Sequence, residues 1–149
     1  MEINVEDNFT LLFDKNNNTA YKALQALQKE CEKSNRVYCY MDKLADMIDS
    51  DNSYIRTRGL TLIAYNAKWD IDNKIDEIID EYLKHIEDVK PITARQYIKL
   101  MPMIAKNKPE LKCDIVSALQ KADKSIYADS IQPLVYKDIQ NSLAEIEKL

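Results

Sequence analysis

The residues of this sequence that could do chemistry are mainly basic and aromatic side chains at helical spacing. Arg95, Lys99 and Lys106 follow one another at i, i+4 and i+11, which places them on one face of a helix. Such a surface can bind an acidic peptide, an acidic protein or a nucleic-acid backbone. The candidate partner-binding residues are Lys22, Arg58, Tyr65, Lys68, Trp69, Arg95, Lys99 and Lys106.

A structural explanation competes with binding for several of these residues. The arginines could pair with aspartates in the turns of neighbouring helices, and Arg56 suits that role well. Trp69 could anchor a partner or stack on a base, or it could close its own helix over the next turn. The sequence leaves these alternatives open.

Catalytic and metal-binding signatures are weak. His85 is the only histidine, and no cysteine or second histidine lies near it in sequence. We expect it to interact with the C-terminal end of its helix. The three cysteines, Cys31, Cys39 and Cys113, lack the C-x-x-C spacing of zinc or iron–sulfur sites. The acidic residues between 70 and 88 have the spacing of a solvated helix face. We therefore predict no catalytic, cofactor-binding or metal-ligating residue, and a protein that is not an enzyme.

Composition predicts a single all-α domain over residues 1–149. The chain has one glycine and four prolines, whereas Rossmann-type and all-β folds need many glycines for tight turns. Hydrophobic residues make up 46% and charged residues 31%, with a net charge of −4. No apolar run approaches the roughly 20 residues of a membrane span, and the acidic N-terminus lacks a signal pattern. The expectation is a cytoplasmic protein with no membrane association.

Hydrophobic periodicity places eight helices along the chain. The predicted spans are 3–14, 19–33, 36–48, 53–68, 74–86, 91–106, 109–122 and 131–147. Asn18 or Thr19 is predicted to cap the second helix and Ser53 the fourth. Val135, Ile139, Leu143 and Ile146 are predicted to be buried in the last helix.

A repeat of 36–37 residues links the longer helices. Thr19, Ile55 and Ile92 begin them at matching positions, and Lys22, Arg58 and Arg95 each follow three residues later. Asp14, Asp51 and Asp88 precede them, each 37 residues after the last. Gly59 stands at a small-residue position, where it costs about 1 kcal/mol relative to alanine. We expect another backbone to approach closely there.

The turn aspartate, Ile55, Arg56, Gly59 and Ile63 together resemble the second helix of a HEAT repeat. The resemblance implies an α-solenoid of about four antiparallel helix pairs, at 3–33, 36–68, 73–106 and 109–147. It also implies that the second helices line a concave surface. Charge follows that division, because 91–108 carries four basic and no acidic residues, whereas 70–88 carries eight acidic and two basic ones. A basic inner face is therefore predicted.

The resulting prediction is a non-catalytic HEAT-like scaffold that binds a protein or peptide partner on its concave face and needs no cofactor. One alternative is a nucleic-acid-binding module resembling the HEAT-like DNA-alkylation-repair proteins, which would use the basic second helices. Another is an accessory factor in iron–sulfur assembly, which would depend on Cys31, Cys39 or Cys113. The sequence does not give the partner's identity or the oligomeric state.

Overall fold

The computed structural model describes residues 2–149, and their regular structure is entirely helical. The chain divides into two compact units, one ending at Asp72 and the other beginning at Asn73. The first unit holds four α-helices: α1 (Val5–Leu11), α2 (Asn17–Lys33), α3 (Met41–Met47) and α4 (Ser53–Tyr65). The second holds α5 (Lys74–Leu83), α6 (Pro91–Asn107), α7 (Lys112–Lys121) and α8 (Gln132–Glu147). The all-α prediction is therefore confirmed for the described residues.

In the first unit, α1 packs on α2, α3 packs on α4, and α2 also contacts α4. Leu12, Leu27, Leu44, Leu62 and Ile63 are fully buried between them. The closest approach is at Gly59 in α4. A Cβ atom built there would lie 2.8 Å from Met47 Cβ and 3.0 Å from the Leu44 carbonyl oxygen in α3. The predicted close packing at this glycine is confirmed, and it explains why no side chain stands there.

In the second unit, α6 is the central helix and packs against both α7 and α8. The rings of Tyr82 and Tyr97 meet edge to face in the core, with centroids 4.6 Å apart. Ser142 on α8 donates a hydrogen bond to the Ile98 carbonyl of α6 at 2.8 Å. Leu143 is half-buried rather than buried as predicted, because the buried positions of α8 follow Val135, Ile139, Ser142 and Ile146.

Two predicted helix caps are corrected by the structure. Asn16, not Asn18 or Thr19, caps α2, and its Oδ1 accepts hydrogen bonds from the Asn18 and Thr19 amides. Asn52, not Ser53, caps α4 in the same way. An asparagine in extended conformation reaches the amides two and three residues on, which begins the helix directly after it.

Several predicted spans were too long, because short 3₁₀ turns flank the α-helices. The span 36–48 divides into a 3₁₀ turn at Tyr38–Tyr40 and α3, and 53–68 ends with a 3₁₀ turn at Ala67–Trp69. Similar turns occupy Lys84–Glu87, Pro109–Leu111 and Lys124–Ile126. Hydrophobic periodicity alone does not separate the two helix types at helix ends. Within residues 2–149, no helix has both the length and the apolar character of a membrane span.

Candidate functional site

Two of the exposed basic residues among the predicted candidates lie together on α6. Lys99 and Lys106 are exposed and seven residues apart, so both point from the same face. Neither ammonium lies within 4.0 Å of a carboxylate in the described part of the chain. α6 contains Arg95 besides these lysines and has no acidic residue. It therefore presents uncompensated positive charge to solvent.

Arg95 is fixed at the junction of α6 and α8. Its Nε donates to Asp138 Oδ2 at 2.6 Å, and the Asp138 carboxylate is almost fully buried. The hydrogen bond to this carboxylate raises the pKa of Arg95 above its ordinary value. The Arg95 side chain nevertheless remains 31% exposed. The ion pair holds the guanidinium in one place while leaving part of it accessible beside Lys99.

The adjoining helix α5 has the opposite charge. Its solvent-facing positions carry the acidic side chains Asp76, Glu77, Asp80 and Glu81 against the single basic Lys74. Asp76 is engaged by the buried ammonium of Lys108 at 2.7 Å, and the same ammonium donates to Asn73 Oδ1 at 2.7 Å. Lys108 is one of the four basic residues counted in 91–108, but it is buried in an ion-pair network and adds no charge to the surface. The basic surface is thereby confined to α6 itself.

The arginines of α4 are buried within the first unit. Arg58 is 6% exposed, and its Nη1 donates to the Leu12 carbonyl at the end of α1 at 2.8 Å. Burial lowers the pKa of Arg58, but an arginine remains protonated at neutral pH. Arg56 Nη1 donates to the carbonyls of Ser50 and Asp51 in the turn before α4. Both guanidinium groups donate hydrogen bonds to backbone carbonyls at the end of a helix or in a turn. These contacts give the two arginines a structural role.

Lys68 and Trp69 close the C-terminal end of α2. Lys68 Nζ donates to the Glu32 carbonyl, and Trp69 Nε1 donates to the Cys31 carbonyl at 2.7 Å. The Lys68 ammonium also lies 5.2 Å from the centre of the Trp69 ring. Two of the last carbonyls of α2, which have no partner inside their own helix, are satisfied in this way. The Trp69 indole is half-buried rather than displayed.

Two further candidates stand apart from this contact. Lys22 is exposed on α2, and Tyr65 is half-buried at the end of α4. Neither belongs to a described cluster of charged or aromatic side chains. The first unit therefore holds these residues separately, whereas α6 brings Arg95, Lys99 and Lys106 together on one helix.

The cysteines and the histidine have separate surroundings. Cys31 is buried, and burial raises the pKa of its thiol to about 12. Cys39 and Cys113 are exposed and lie in different units. His85 lies in the last turn of the 3₁₀ segment Lys84–Glu87, and its Nδ1 is 2.9 Å from Asp88 Oδ2. Residues 2–149 contain no group of three or more His, Cys, Asp or Glu placed to hold a metal ion.

Sequence reasoning missed Asp138 as the partner of Arg95. The two residues lie 43 positions apart, and helical periodicity gives no information about which residues of two helices meet. The only available signal was Asp138 itself, an acidic residue next to Ile139 on the buried face of α8. A carboxylate at such a position normally has a charged partner.

Comparison with known proteins adds no further constraint on this geometry: no family model, curated protein or solved structure matches the chain.

Proposed function

We propose that this chain is a non-catalytic, HEAT-like helical scaffold that binds an acidic protein or peptide segment along α6. The observation that carries the proposal is the basic face of α6, a helix without acidic residues, on which Lys99 and Lys106 are exposed and Arg95 is partly exposed. The positive potential of this face would attract an acidic partner, and it would also raise the rate of association. The rigid ion pair between Arg95 and Asp138 lowers the entropy lost on binding, because the guanidinium is already positioned.

The repeat architecture is supported by a recurring turn before the long helices. The side-chain oxygens of Asn16, Asn52 and Asp88, spaced by a constant 36 residues, each accept a hydrogen bond from the backbone amide two residues on. All three hydrogen bonds are 2.9 Å long. Unlike the alignment of Asp14, Asp51 and Asp88, this register is accompanied by the same backbone hydrogen bond at all three positions.

The same kind of contact between the longer helices occurs within each unit. The second and fourth helices of the first unit contact one another, as do α6 and α8 in the second. Polar contacts join residues one repeat apart, as in the hydrogen bond from Lys68 to the Glu32 carbonyl. Stacked helix pairs with neighbour-only contacts are the pattern of repeat proteins. These features favour the HEAT-like reading over an irregular bundle.

The test is affinity purification from the native cell with a matched pair of charge-reversal variants. Lys99→Glu/Lys106→Glu reverses the proposed face, and Lys121→Glu/Lys148→Glu makes the same charge change at exposed lysines of α7 and the C-terminus. We expect a partner that co-purifies with the wild type and the control and is lost from the first variant. The purified complex should weaken as salt is raised, since the contacts are exposed charges.

Two results would contradict the proposal. A partner retained by Lys99→Glu/Lys106→Glu would show that α6 is not the binding surface. Salt-sensitive binding to duplex DNA that requires these lysines, with no protein partner, would instead favour the nucleic-acid alternative.

A further inference from the structure

The first unit holds a groove lined by residues of α1, α3 and the start of α4, with Phe13 and Ser50 from the segments that follow α1 and α3. Its volume is about 420 Å³, and it is open to solvent along one side. Four of its lining side chains are apolar: Phe9, Phe13, Met47 and Ile55. Phe13 is 50% exposed, although its ring meets Phe9 edge to face at 5.8 Å. A large aromatic side chain left half in water beside a groove is typical of a recognition surface.

The rim of this groove carries two opposite charges that do not pair with each other. Lys43 and Asp46 both line it, three residues apart on α3. Their spacing would permit an ion pair, but the Lys43 ammonium lies over the rings of Phe9 and Tyr40, at 6.0 and 5.6 Å from their centres. Neither charge is within 4.0 Å of an opposite one in the described residues. The rim therefore offers a cation and an anion. The two residues that carry them are about 4.5 Å apart along the helix axis, measured between their backbone positions.

We propose that this groove binds a peptide segment that inserts one large apolar side chain and carries an acidic and a basic residue on either side of it. The apolar anchor would cover Phe13 and Met47, the acid would meet Lys43, and the base would meet Asp46. A peptide fits better than a small molecule, because small-molecule sites enclose most of their ligand whereas this groove is open along its length. The two unpaired charges fix the direction of the peptide, since reversing it would place like charges together.

This proposal is independent of the acidic partner of α6, because it uses a different unit and different residues. The experiment selects a phage-displayed library of random dodecapeptides against the full chain. A parallel selection uses the Phe13→Ser/Lys43→Glu variant. We expect the wild type to enrich peptides with a Phe, Trp, Leu or Met flanked within four positions by one acidic and one basic residue. The variant should not enrich them.

The best peptide is then synthesised with a fluorescent label and titrated by anisotropy. Phe13→Ser and Lys43→Glu should each weaken binding about tenfold or more, as loss of an interface anchor does. Lys43 is exposed, so its variant keeps the fold even if Phe13→Ser disturbs α1. A peptide whose acidic residue is changed to lysine should regain affinity for Lys43→Glu. Lys99→Glu/Lys106→Glu should leave affinity within about twofold.

Each of the following outcomes would overturn the inference. The first is a selection with no shared pattern, and the second is binding indifferent to both groove variants. The third is binding abolished by the α6 variant alone. The fourth is self-association of the chain, seen by sedimentation and removed by Lys43→Glu, which would make a second copy the occupant.

Discussion

Replacing Gly59 by alanine tests the contact between α3 and α4 directly. The added Cβ would lie 2.8 Å from Met47 Cβ and 3.0 Å from the Leu44 carbonyl oxygen. Ordinary contact between carbon atoms begins near 3.5 Å, so α3 and α4 must separate by several tenths of an ångström. Neither obstacle can rotate away, because one is a backbone oxygen and the other is attached directly to the backbone.

Two opposing terms decide the size of the effect. Overpacking a tight contact costs about 1–3 kcal/mol, and a rigid obstacle places this site in the upper part of that range. Alanine in a helix interior recovers about 1 kcal/mol relative to glycine. The net expectation is a loss of about 1–2 kcal/mol in the free energy of unfolding, or roughly 2–8 °C in the melting temperature.

Urea unfolding followed by circular dichroism measures this change. The midpoint should fall while the slope with urea concentration stays constant, because the surface exposed on unfolding is unchanged. Gln25→Ala is the control, since it introduces an alanine at an exposed position inside α2. It should change stability by no more than about 0.5 kcal/mol. A Gly59→Ala protein as stable as the wild type, or more stable, would refute the close approach of the two helices.

Two further predictions concern buried charges in the first unit. Arg58→Met should destabilise the chain by about 2–3 kcal/mol in the same unfolding assay, since it removes a charged donor from the buried Leu12 carbonyl. The control Lys99→Met should change the free energy of unfolding little. An equal loss of stability in the two variants would contradict the structural role of Arg58. Glu30 is buried, and its pKa is lowered below 4.5, first by the hydrogen bond from Ser34 and then by Lys33 and Arg36. A carboxyl group with a lowered pKa contributes stability above its unfolded pKa and loses it as pH falls through the folded value, so stability should fall below about pH 4.5. Unfolding measured between pH 7 and 3 should show a weaker pH dependence for Glu30→Gln, and an unchanged dependence would contradict this role.

Much of the local structure could be predicted from the sequence, because it depends on neighbours along the chain. The apolar stripe of α5, the proline at the start of α6 and the close packing at Gly59 all follow from residue type and helical spacing. The predicted caps lay two or three residues after Asn16 and one residue after Asn52. Several residues in each turn could serve as a cap, and sequence alone does not select the one with extended backbone.

The candidate site was less predictable, since exposure depends on contacts between distant residues. Arg58 and Arg95 occupy equivalent positions of the repeat, three residues after Ile55 and Ile92. Arg58 is buried because the free carbonyl at Leu12 accepts its guanidinium, whereas Arg95 stays partly exposed beside the carboxylate of Asp138. The groove beside Phe13 could not be predicted from the helical pattern of α1, because residues of three separate helices line it.

By itself, the sequence determined that the chain is helical and gave the approximate position of each helix. Those properties arise from interactions within a few residues of each position, which a linear pattern records. Only the tertiary structure decided which basic side chains reach solvent. The carbonyl of Leu12 at the end of α1 accepts the Arg58 guanidinium and keeps it buried, whereas Lys99 and Lys106 have no such acceptor and remain exposed on α6.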